Sequence, residues 1–136
     1  MTLKTIIENI RATALGIDGI NEVSFGDANQ LDLSTITSYP LLHISPVSIE
    51  HSGAISTVSL QLTLVAQADD ETEASRIDAV SSANLLMSTL LNSLYQSSTL
   101  QLPAATSTDV VYDQFANRLY GFTSLVAVLT ERDLLC

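Results

Sequence analysis

Thr57-Val-Ser-Leu-Gln-Leu-Thr-Leu-Val-Ala-Gln67 decides the fold. Val58, Leu60, Leu62, Leu64 and Ala66 alternate with Thr57, Ser59, Gln61, Thr63 and Gln67. Successive side chains of a strand point to opposite faces. This spacing therefore predicts a half-buried antiparallel strand, aliphatic on the core side and mostly polar on the other. Upstream lies a second extended run, Tyr39-Pro-Leu-Leu-His-Ile-Ser-Pro-Val-Ser-Ile-Glu50, in which Pro40 and Pro46 forbid helix. A proline-bearing strand belongs at a sheet edge or a bulge. With His51-Ser52-Gly53 read as a turn, the two runs form a hairpin.

The flanking segments read as helices. Leu3, Ile6, Ile7, Ile10, Ala14 and Ile17 make an amphipathic stripe, predicting a helix over Leu3–Leu15. Thr5 and Glu8 have capping-box spacing, Thr2 is the other candidate N-cap, and Gly16 or Gly19 ends the helix. A short strand is expected over Glu22–Gly26, then a polar loop to Ser38 with Leu31, Leu33 and Ile36 tucked beneath it. The long helix is expected over Asp70–Gln96. Asp70 and Glu73 are at capping-box spacing there, and Asp69, Asp70, Glu71 and Glu73 complement the helix dipole. Its apolar face reads as Ile77, Val80, Ala83, Met87, Leu90, Leu91 and Leu94, and Leu85 and Leu86 extend it beyond one face. A Ser/Thr/Pro loop over Ser97–Thr108 precedes two last strands, Val110–Phe115 and Gly121–Glu131, joined by a turn at Ala116–Leu119. The final strand is apolar on both faces and is expected to be central. The order α-β-β-β-α-β-β predicts one α+β domain over residues 1–136, a mainly antiparallel sheet with two helices packed on it.

Composition narrows the function. The chain has 136 residues, 46% hydrophobic, with 15 acidic and 5 basic side chains and a net charge of −10. Phosphate-neutralising recognition of nucleic acid and adhesion to an anionic membrane both need the opposite sign. Aromatic residues are 5% with no Trp, which disfavours a stacking platform for bases or sugars. Glu8 arrives before any apolar core of a signal peptide, and no run of ~18 apolar residues exists, so neither a secretory leader nor a transmembrane helix is expected. The single Cys136 is terminal, permits no internal disulfide and lacks the spacing of a prenylation box.

No chemistry-bearing motif is present: no Gly-x-Ser-x-Gly, phosphate-binding glycine loop, dinucleotide fingerprint or Cys-x-x-Cys. His43 and His51 are eight residues apart in an extended run, ~25 Å and too far to share a metal. His43 reads instead as a strand residue with a hydrogen-bonded ring, and His51 as exposed. Asp69–Glu73 lacks the alternating pattern of a calcium loop and reads as a solvated helix start. Asp109 and Asp113, four apart on a strand, stand ~13 Å from each other and read as surface residues. No catalytic, cofactor-binding or metal-binding set is expected, and the chain is not expected to be an enzyme. Arg118 is conspicuous where basic residues are rare: it fits an intersubunit ion pair or an ordinary turn arginine.

In arrangement the chain resembles the tail terminator (tail completion) proteins of tailed bacteriophages and related neck and connector ring proteins. The resemblance rests on the N-terminal helix, Tyr39-Pro-Leu-Leu-His-Ile-Ser-Pro46, the alternating strand, Asp69-Asp-Glu-Thr-Glu73, the helix Ile77-Asp-Ala-Val…Leu90-Leu-Asn-Ser-Leu94, and Tyr112-Asp-Gln-Phe115 with Arg118-Leu-Tyr-Gly-Phe122. It implies a non-enzymatic virion protein, made in the host cytoplasm. The protein would form a homo-oligomeric ring, commonly a hexamer, that caps the tail tube or joins it to the neck connector. DNA would pass through the lumen unread, and the acidic surplus would keep phosphates from sticking. The family pattern carries no functional residue that transfers position by position. The expected interface is therefore drawn from apolar residues that one helix-on-sheet layer does not need, Leu85, Leu86, Val111, Phe115, Leu134 and Leu135, with Arg118. The bland reading of each apolar position is intramolecular core. The alternative function is a small cytosolic α+β binding or regulatory module, dimeric and with a ligand pocket.

Overall fold

The alternation at 57–67 is realised as a strand because every aliphatic residue of the series finds the same buried layer. In a computed structural model, which describes residues 3–26, 40–67, 72–96, 108–112 and 119–131, the elements run α1 (Leu3–Leu15), β1 (Glu22–Phe25), β2 (Leu41–Ser52), β3 (Ile55–Gln67), α2 (Glu73–Tyr95), β4 (Thr108–Tyr112) and β5 (Leu119–Glu131). The five strands form one mixed sheet in the order β1-β2-β3-β5-β4, parallel only between β1 and β2. The α+β class and the element order are those expected.

Both helices cover one face. Val58, Leu60, Leu62 and Leu64 of β3 are fully buried with Leu42 and Ile44 of β2 and Val126 and Val128 of β5. Ile6, Ile10 and Ala14 of α1 and Met87, Leu90 and Leu94 of α2 close the same cluster. α2 also buries Ala79 and Ala83, small side chains that let its N-terminal half lie close to the sheet. The opposite face carries a polar ladder: Gln61 Nε2 donates to Thr123 Oγ1 at 2.9 Å, and the Thr63 and Thr123 hydroxyls share a bond at 3.2 Å. Gly19, with φ of 106°, turns the chain after α1, which its neighbour Gly16 does not need to do.

Several local expectations are corrected. α2 begins at Glu73, and its N-cap is Thr72, whose hydroxyl accepts from the Ser75 amide at 3.2 Å, so Asp70 and Glu73 do not form its capping box. Asp69, Asp70 and Glu71 lie outside the described residues. Thr5 lies inside α1, and Glu8 pairs with Lys4 across an exposed helical turn at 3.9 Å. Ile77 is 59% exposed, and Ala79 takes the buried position expected of it. His51 belongs to β2, because Ser52 and Ile55 still pair and the turn is the two residues between them, led by Gly53 at φ 62°. β2 is only half an edge. Its first half pairs with β1 through Ile44, and the edge opens at Pro46, where the register to β3 also shifts. The proline thus sits where its missing N–H does least harm. β4 is described over Thr108–Tyr112, beginning two residues before the expected start, and 113–115 of the expected strand lie outside the described residues. The loop with Leu31, Leu33 and Ile36, Pro103, Asp113, the turn at 116–118 and Cys136 lie outside the described residues.

Candidate functional site

The interface residues expected from sequence meet different fates. Leu85 projects from α2 at 67% exposure, two turns beyond the exposed Ile77. Leu86, the next residue, turns inward: it is half-buried against the core, and a Cβ at Gly19 would lie 3.1 Å from its Cδ2. Val111 is a β4 residue paired with Gly121 of β5. Phe115, Arg118, Leu134 and Leu135 lie outside the described residues.

The structure adds a feature that sequence reasoning missed. Among the described residues, β2, β3 and β5 continue past the ends of β1 and β4 as a three-stranded lip. β1 stops opposite Ile44 and β4 stops opposite Ser124, whereas β2 runs on to Ser52 and β5 to Glu131. Large apolar side chains are uncovered on this lip: Val47 at 55%, Ile49 at 43%, Ile55 at 53% and Leu125 at 54%. Burial falls abruptly along β2. Leu41 to Ser45 are all buried, and Pro46 to Ser52 are all exposed. A sequence signal existed: the apolar phase of β2 switches from Leu42 and Ile44 to Val47 and Ile49 across Pro46, the mark of a bulge.

A concavity of about 660 Å³ lies between α2 and β5. It is lined by Glu73, Arg76, Ile77, Val80, Ser81, Asn84 and Phe122. Its walls offer one cation, one carboxylate and two small polar groups over an apolar floor. That set orients a ligand but holds no nucleophile paired with a base.

The two histidines make separate contacts, each with its own serine. His43 is 2% exposed, its Nδ1 in a 2.7 Å hydrogen bond with Ser24 Oγ on the face away from the helices. His51 Nδ1 meets Ser56 Oγ at 2.6 Å at the far end of β2. Ser56 is fully buried and no carboxylate orients His51 through a described hydrogen bond, so this contact lacks the third member of a hydrolytic triad. Among the described residues no group of three or more His, Cys, Asp or Glu side chains is arranged to hold a metal ion. Among them, too, no helix is long and apolar enough to cross a membrane.

No protein-family model matches this sequence, and no curated protein sequence does. What can be argued for the chain therefore comes from its own surface: a lip whose two edges are unpaired among the described residues, with uncovered aliphatic residues, and a groove beside α2.

Proposed function

We propose that this protein is a non-enzymatic structural component of a tailed-phage virion. It builds a ring at the tail or neck that caps the tail tube or joins it to the head connector. The observation that carries the reading is a set of large apolar side chains left uncovered outside the core of the described residues. Val47, Ile49, Ile55 and Leu125 on the sheet and Ile77 and Leu85 on α2 are each more than two-fifths exposed. Large apolar residues left on a protein surface in this number are consistent with sites of association. The net charge of −10 suits a ring through which DNA moves, because a surface of the same sign as phosphate does not retain it. The partners in this reading are further copies of the chain, a hexamer first, with tube and connector proteins stacked above and below.

The test is twofold. Purified virions separated into head and tail fractions should contain the protein at the neck or tail end, and native mass spectrometry should give a ring-sized assembly. A protein absent from virions and monomeric at every concentration overturns the reading.

The groove over Phe122 favours a second reading, a small binding or regulatory module. That reading expects a small molecule to copurify with the protein and to raise its melting temperature. Substitution of Arg76 would abolish the effect while leaving the assembly state unchanged.

A further inference from the structure

We infer that copies of this chain join through the lip, the open edge of β2 (Pro46–Ser52) of one protomer lying against the open edge of β5 (Leu125–Glu131) of the next. The inference rests on the ring reading and deepens it by naming the contact.

Two observations carry it. First, each protomer presents both halves of the joint. Among the described residues nothing pairs with β2 beyond Ile44 on its outer side, and nothing pairs with β5 beyond Ser124. The two open stretches are of equal length and lie on opposite sides of β3, which pairs with β2 on one flank and β5 on the other. A contact between unlike patches of identical chains is heterologous and propagates around a ring instead of closing as a dimer. Both strands are antiparallel to β3, so they run in the same direction. A rotation axis roughly along the strands therefore sets β5 of one copy parallel to β2 of the next.

Second, the two edges carry little charge. Soluble proteins blunt open edges with charges, prolines and bulges; the β2 edge has Pro46 and the register shift beside it at its start, and beyond them the guards are few. Here Leu125–Glu131 carries one acid, its last residue Glu131, and Pro46–Ser52 one, Glu50, beside His51, so thirteen of the chain's fifteen acids lie outside the two stretches. Ile49 and Leu125, on the two edges, are both substantially exposed. Charge is concentrated elsewhere, so two acidic copies meet where repulsion is least. Pro46 removes one backbone donor at the start of the β2 edge and limits the joint to the segment beyond it.

The experiment uses the full chain and two variants. Ile49→Lys blocks the β2 edge and Leu125→Lys the β5 edge. Both sites are exposed, so each variant should fold, which circular dichroism and the melting transition check. Wild type is expected to assemble in native mass spectrometry, and each variant alone to lose assembly and run as a monomer. Mixed together they should form a 1:1 heterodimer and nothing larger, since one good edge of each kind remains. Should a lysine variant fail to fold, Ile49→Ser or Leu125→Ser replaces it, with a tenfold or greater weakening of assembly expected. If wild type assembles and the folded variants assemble equally well, the lip joint is wrong and the ring reading stands. If wild type stays monomeric at all concentrations, the joint is overturned, and the ring reading falls with it if the protein is also absent from virions.

Discussion

The backbones of Gly121 and Leu64 approach so closely that a Cβ built on Gly121 would overlap the Leu64 carbonyl oxygen and lie 2.8 Å from its carbon. Gly121 is buried and pairs with Val65 on β3 and Val111 on β4, so it sits where β5 is held on both sides. Backbone cannot yield as a side-chain tip does. Gly121→Ala should therefore cost at least ~2 kcal/mol of stability through displacement of β3 from β5. A lowered urea midpoint checks this. Gly53→Ala meets nothing within 4 Å and is expected to cost only the ~1 kcal/mol of its left-handed φ.

Leu85 and Leu90 are leucines of one helix in opposite situations, the first 67% exposed and the second fully buried. Leu90→Ala should destabilise the protein by about 2–5 kcal/mol through lost burial and a residual cavity. Leu85→Ala should change monomer stability by less than ~0.5 kcal/mol. Chemical denaturation of both variants reads the difference. A large loss for Leu85→Ala that depends on protein concentration would place this residue in an interface.

Thr72 supplies the hydroxyl that accepts from the Ser75 amide at the start of α2. Thr72→Ala should cost about 1 kcal/mol, and Thr72→Asp should restore it, since a carboxylate both caps the helix and meets the positive end of its dipole. Thermal melts of the two variants test the assignment of the helix start.

Ser24 hydrogen-bonds His43 where the ring is 2% exposed. Ser24→Ala removes a partner from a buried polar atom, and the expected cost is about 1–3 kcal/mol. It should also loosen β1 from β2, seen as faster amide exchange across Glu22–Phe25. Unchanged exchange there would show that the parallel pairing holds without this bond.

The period of the sequence was enough to find α1 to the residue and β3 nearly so, because a buried face repeats locally and every member of the repeat is within a few residues of the next. It was enough, too, to place β5 as a central strand, since a near-continuous apolar run is typical of a sheet interior, and β5 does lie between β3 and β4. It misjudged the start of α2. Asp70 and Thr72 are both good caps, and only the packing of Ala79 and Ala83 on the sheet, which sets the rotation of the helix, chooses between them. The same rotation leaves Ile77 outside. The lip escaped notice because Val47, Ile49 and Ile55 look like ordinary core aliphatics in a strand.

What the sequence determined by itself is therefore phase: which stretches extend, which coil, and which side of each is apolar. Phase is a property of neighbouring residues and of backbone geometry. Only the tertiary structure decided adjacency: that β1 lies parallel on half of β2, that β5 enters between β3 and β4, and that three strands outrun their neighbours. Adjacency depends on contacts between distant segments and on the entropy of closing the chain between them, and no local pattern encodes where one strand ends relative to another. The edges left unpaired among the described residues are visible only at that level.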